Sequence, residues 1–109
     1  MKARNRPYLI DFEGRDVTED GYGGEVENWT EYCQEYAAVR FGGGSEQREA
    51  TQTQASQVAS FDVLSNTKTR AISVIDHRIL FDGGIWNITA KHDLGLNEGI
   101  RVTAVRQAA

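Results

Sequence analysis

Ile79-Leu80-Phe81-Asp82-Gly83-Gly84-Ile85-Trp86-Asn87-Ile88 places a glycine-rich tight turn between two apolar segments. Glycine accepts the positive φ that such turns demand, so the stretch predicts a β-hairpin with Asp82-Gly83-Gly84 at its tip. Toward the C-terminus, Gly99 to Val105 puts Ile100, Val102 and Ala104 on one face, the period of a strand. Toward the N-terminus, Val58, Ser60, Asp62 and Leu64 alternate against Ala59, Phe61 and Val63 until Ser65-Asn66-Thr67 breaks the pattern. The tail Arg106 to Ala109 reads as frayed.

The first third of the chain repeats this alternation. Tyr8, Ile10 and Phe12 stand against Leu9, Asp11 and Glu13, and the chain then turns at Asp20-Gly21-Tyr22-Gly23-Gly24. Val26 to Phe41 fits two periods, because Trp29, Tyr32, Cys33 and Tyr36 also have helical spacing. Strand is favoured by the β-formers Thr30, Tyr32, Tyr36, Val39 and Phe41 and by the need for a hairpin partner nearby. The expectation is an all-β, mainly antiparallel barrel or sandwich of about six short strands without a sustained amphipathic helix. Tyr8, Phe12, Phe61, Phe81 and Trp86 read as its core fillers rather than as a stacking platform, which cations would flank.

Between the strand regions lies GGGSEQREATQTQASQ, residues 42–57, from which no core can be built. Gly42, Gly43 and Gly44 suggest a hinge, and Ser45 is placed to cap a short helix over Glu46 to Ala55. Insertions of this length in a compact domain are usually functional or disordered. At 109 residues and 12.1 kDa the chain has material for one core. The expected organisation is a single domain over 1–109 with a flexible loop inserted at 42–57.

Charge excludes several functions. Residues 11–35 carry nine acids against Arg15 alone, residues 1–10 carry three bases, and residues 36–109 are nearly balanced, for a net charge of −4. A protein that grips phosphates needs clustered Lys and Arg, so tight nucleic-acid binding is disfavoured. The acidic block reads as a solvated face with a turn in it, or as a surface that repels DNA or docks a basic partner. A lone Cys33 and the distant His77 and His92 suit neither a disulfide nor zinc, and no cofactor or catalytic centre is expected. Gly42 to Ser45 lacks the Lys and Thr of a phosphate loop. Only Tyr8, Leu9 and Ile10 follow the basic start, so no secretory signal or membrane segment is expected and the setting reads as reducing and cytosolic.

The order of these landmarks carries a resemblance. A basic start and first strand lead to Asp20-Gly21-Tyr22-Gly23-Gly24 and Trp29, then Tyr36-Ala37-Ala38-Val39-Arg40. A polar insertion, Thr69-Arg70-Ala71-Ile72 and the hairpin from Ile79 to Ile88 follow. Over about Arg4 to Val105 this is similar to the head-tail joining (head-closure or stopper) family of tailed phages and gene transfer agents. The resemblance implies a non-enzymatic β-barrel in a sixfold or twelvefold homo-oligomeric ring at the virion neck, made in the bacterial cytoplasm. The ring would sit between portal or adaptor and tail and pass double-stranded DNA without sequence-specific binding. It implies that the insertion reaches neighbouring subunits or the lumen, with Gly42, Gly43, Gly44, Glu46, Arg48, Glu49, Gln52 and Gln54 at an interface. Trp86, where Tyr is common, and the Gln/Thr-rich insertion depart from the pattern. Alternatives are a tail-completion component of the same junction, or a small barrel binding nucleic acid or peptide through Trp86 and Phe81.

Overall fold

A computed structural model describes residues 6–42 and 57–108. Six strands form a closed antiparallel barrel: β1 (Tyr8–Glu19), β2 (Glu25–Phe41), β3 (Val58–Leu64), β4 (His77–Phe81), β5 (Gly84–Leu94) and β6 (Gly99–Arg106). Their order around the wall is β1-β2-β3-β6-β5-β4, and β4 pairs back onto β1 from Asp11↔Leu80 to Gly14↔His77. Closure leaves the wall itself without open edges.

The β4–β5 turn forms as its sequence demands. Asp82 and Gly83 adopt φ of 54° and 72°, the two positive values of a two-residue mirror-image turn, with Phe81 facing Gly84 across it. From this hairpin Ile79, Trp86 and Ile88 enter the core, where they meet Ile10 and Phe12 of β1, Ala37 of β2, Ala59, Phe61 and Val63 of β3, and Ile100, Val102 and Ala104 of β6. The alternations on β1, β3 and β6 therefore select the inward faces.

Four features differ from the sequence expectation. β1 and β2 are long, at 12 and 17 residues, because they continue pairing beyond the barrel. Tyr8 is 46% exposed, since it opens β1 at the barrel rim and meets Phe81 edge-on instead of entering the core. Phe81, at the turn, is only partly buried. Finally, the chain after β3 makes one helical turn, α1 (Thr67–Arg70), as a capping box: Asn66 Oδ1 accepts from the Thr69 N–H at 2.8 Å and Thr69 Oγ1 accepts from the Asn66 N–H at 2.8 Å. Thr69 Oγ1 also donates to the Leu64 carbonyl at 2.7 Å, which satisfies a fully buried hydroxyl.

Phe61 and Trp86 meet edge-to-face at 5.5 Å with no exposed surface on either. Trp86→Ala and Phe61→Ala are each expected to lower unfolding free energy by about 3–5 kcal/mol, measured by denaturant titration. Tyr8→Ala should cost clearly less.

Candidate functional site

Strand directions give the barrel two ends with different chemistry. β2 leaves and β3 enters at one end, where β1 also begins, β6 finishes and the β4–β5 turn sits. The other end carries the extension of β1–β2, the connection through α1, and the β5–β6 turn.

At the first end, the roots of the 42–57 insertion are tied down. The Gly42 N–H donates to the Val58 carbonyl at 2.6 Å, and the Arg106 N–H donates to the Gln57 carbonyl at 2.8 Å. The Arg106 guanidinium bonds Gln57 Oε1 and the Asp82 carbonyl and lies over the Trp86 ring, 5.6 Å from its centre. Gly42 has φ of 86°, a conformation that suits glycine and strains other residues. Of the predicted interface residues, Gly42 alone is placed. Gly43, Gly44, Glu46, Arg48, Glu49, Gln52 and Gln54 lie outside the described residues, as does the helix expected over Glu46 to Ala55.

An aromatic group fills this end: Phe81 meets Phe61 at 5.6 Å and Phe41 at 6.4 Å. Trp86 is fully buried, and its Nε1 donates to the Phe81 carbonyl at 3.1 Å. It thus presents no ring face on which a base or peptide could stack, whereas Phe41, at the root of the insertion, and Tyr8 and Tyr36 near it are half exposed.

At the second end, pairing of β1 with β2 continues from Arg15↔Trp29 to Glu19↔Glu25, after β4 has left β1 at Gly14. The result is a two-stranded arm. Its root is clamped by cations. The Arg15 N–H donates to the Asp76 carbonyl at 2.7 Å, and its guanidinium bridges Glu27 at 2.9 Å and Asp76 at 3.2 Å. Arg78 bonds Glu13 at 2.7 Å and lies 4.2 Å from the centre of the Trp29 ring. A bulge at the same level leaves Tyr32 as an extra residue between Phe12↔Cys33 and Glu13↔Glu31, which increases the local twist. Tyr32 then reaches α1, donating its hydroxyl to the Lys68 carbonyl at 2.7 Å. Asp20 Oδ1 orders the tip by accepting from the N–H groups of Tyr22 and Gly24. Sequence reading located this turn and its acidity but missed the arm. The signal was the symmetry of β-formers Val17 and Thr18 before the turn and Val26 after it.

Titratable groups follow these contacts. Burial pushes His77 below its ordinary value of 6.5, and its Nδ1 accepts from the Ser73 N–H at 2.9 Å, a bond open only to the neutral ring. Burial pushes the Cys33 thiol up to about 11, with the Glu35 charge adding to the effect, so at neutral pH it is no thiolate nucleophile. Burial alone would raise Asp62, but hydrogen bonds from Arg101 at 2.8 and 3.0 Å, together with Arg40, hold its carboxyl below the usual range. Among the described residues, no group of three or more His, Cys, Asp or Glu side chains is placed to hold a metal ion.

Comparisons with known proteins fit this geometry. The family model described as phage head completion protein matches residues 1–106. A chain from the "Virion of native gene transfer agent (GTA) particle" superposes with a TM-score of 0.66, covering 94% of this chain and 96% of that one. At 20% identity this likeness speaks for the fold. No curated protein matches the chain.

Two outcomes follow from the titrating groups. A His77 proton is bound more weakly in the folded state than in the unfolded one, so stability is complete above about pH 6.5 and falls as pH drops through the depressed folded value. Denaturant midpoints between pH 7.5 and 5 should show this slope, and His77→Gln should remove it. Alkylation of Cys33 by iodoacetamide should be slow at pH 7.5 and accelerate toward pH 11; fast modification of folded protein at pH 7.5 would contradict its protonated, part-buried state.

Proposed function

The chain belongs to the phage head completion protein family, and from this premise we propose that it is a head-tail connector of the head-closure or stopper type. Its copies form a sixfold or twelvefold ring between portal or adaptor and tail, in a phage or gene transfer agent particle, and help retain and then pass the packaged DNA. The observation that carries this reading is the two-ended barrel of a family member. A closed six-stranded wall supplies rigidity, one end roots a 16-residue polar insertion, and the other extends a paired arm. A connector must meet different proteins above and below while holding its neighbours at the sides, and this distribution of features suits that task.

The charge distribution supports passage rather than capture of DNA. Phosphate grip comes from clustered cations. Here Arg15, Arg40, Arg78, Arg101 and Arg106 all make ion pairs with carboxylates of the same chain, and the arm adds a surplus of acids. In this reading the insertion, including Gly43, Gly44, Glu46, Arg48, Glu49, Gln52 and Gln54, provides subunit contacts or a gate, with Gly42 as its fixed root. A tail-completion component of the same junction is the second reading, since it would use the same fold; position in the particle separates the two.

Deleting the gene from the producing strain should yield DNA-containing heads without tails, and restoring it should return a ring of density at the neck in cryo-electron microscopy. Normal joining without the protein would overturn the connector reading. Replacing Gly42 to Gly44 with Ala forces a side chain onto the Gly42 backbone at φ 86°, at a cost of about 1–2 kcal/mol there, and should reduce joined particles severalfold while the barrel still folds. Undiminished joining would overturn the hinge.

A further inference from the structure

The arm is built for a partner that the barrel of its own copy does not supply. Beyond Arg15, whose N–H still meets the Asp76 carbonyl, β1 has only β2 beside it, and β2 from Glu25 to Glu31 has only β1, among the described residues. A two-stranded ribbon with both edges open is marginal in water by itself, and unpaired edges are templates for another chain. Among its acids the arm exposes apolar side chains that solvent disfavours: Tyr22 at the tip is 96% exposed, and Val17 and Val26 on its strands are exposed as well. Glu19 faces Glu25 directly across the ladder, a like-charge pair that weakens the arm unless a cation sits near it. Among the described residues Asp16, Glu19 and Glu25 make no ion pair, whereas Glu27 is taken by Arg15.

The complementary surface lies at the same end of the barrel. Around α1, Lys68 and Arg70 are exposed and Lys91 is partly so. Their contacts go to uncharged groups: Lys68 Nζ to the Tyr32 carbonyl, Arg70 to Ser65 Oγ, and Lys91 Nζ to the carbonyls of Arg70 and Ile72. Leu64, Val74, Ile75 and Leu96 are exposed at the same end of the barrel. The arm therefore offers carboxylates around an aromatic tip, and the end of the barrel that carries α1, the α1 platform, offers cations and exposed apolar side chains.

The arm cannot reach its own platform. Among the described residues it meets α1 through Tyr32 and the loop before β4 through Arg15, both at its root, and seven residues of extended β2 carry Glu25 on the order of 20 Å further out. A neighbouring copy related by rotation about an axis along the barrel has its platform at the same level. We propose that the arm of one subunit docks on the α1 platform of the next, a head-to-tail contact that builds a closed ring when the rotation closes. This rests on the ring reading above and assigns the contact that makes the ring.

Charge reversal tests it in assembled particles. Glu19→Lys with Glu25→Lys, or Lys68→Glu with Arg70→Glu, should each cut the fraction of particles with a neck ring at least about tenfold, as opposed charges in close contact do when one side is inverted. Combining all four substitutions in one chain restores opposite signs and should recover ring formation. If either pair alone leaves rings intact, or the combination does not recover them, the arm-platform contact is overturned while the connector reading stands. Loss on arm reversal without loss on platform reversal means that another protein occupies the arm, and also overturns it. A melting scan checks that each chain folds. For a chain that does not, Tyr22→Cys with Lys68→Cys in a Cys33→Ser background decides: oxidised particles should give a ladder of cross-linked subunits, and monomer alone overturns the contact. A wild-type particle without a neck ring overturns the connector reading and this contact together.

Discussion

The short pairing of β4 with β1 is the constraint on which the rest of the molecule depends. Only Asp11 to Gly14 meet β4, yet those four residues close the barrel and remove the open edges of a six-stranded sheet. Closure creates a dry interior into which Phe12, Phe61, Ile79 and Trp86 turn their side chains. The same brevity releases β1 from β4 at Gly14, so everything further along the hairpin must project. Barrel and arm are thus two consequences of one length mismatch between a 5-residue strand and a 12-residue one.

The junction between them is correspondingly rich in polar contacts. Arg15, Arg78, His77 and Tyr32 converge where the barrel ends and the arm begins, and each links a different segment: Glu27 and Asp76, Glu13 and Trp29, Ser73, and Lys68. Individually, exposed ion pairs contribute little. Together they orient a ribbon that has no core of its own. Orientation is what an assembly protein requires of such a segment, because a docking element already aimed loses less conformational entropy on binding. Belonging to a head completion family gives that arrangement its biological sense.

The wall shows the complementary economy of charge. Asp62 lies almost wholly buried on the outward face of β3, where Arg101 and Arg40 neutralise it from neighbouring strands. Period-two reading put this residue on the solvent side of the strand, which is correct for direction and silent about the two guanidinium groups that cover it. Covering of this kind depends on which strands are neighbours, and β3 lies beside β6 only because the sheet closes out of sequence order.

The sequence by itself determined the local elements: the Asp82-Gly83 turn, the inward faces of β1, β3 and β6, the turn around residues 20–24, and the end of β2 at Phe41 and start of β3 at Val58. It did so because turn chemistry and period-two alternation act over a few residues. The order of its landmarks was also enough to indicate the family. Tertiary structure decided the rest: that Tyr8 sits on the rim, that Tyr32 is a bulge reaching α1, and that Arg15 to Thr30 form an arm rather than a solvated loop. It also placed the acidic strands at the same end as Lys68 and Arg70. Those outcomes depend on where one strand stops pairing with another, a property of register and closure that no single segment encodes.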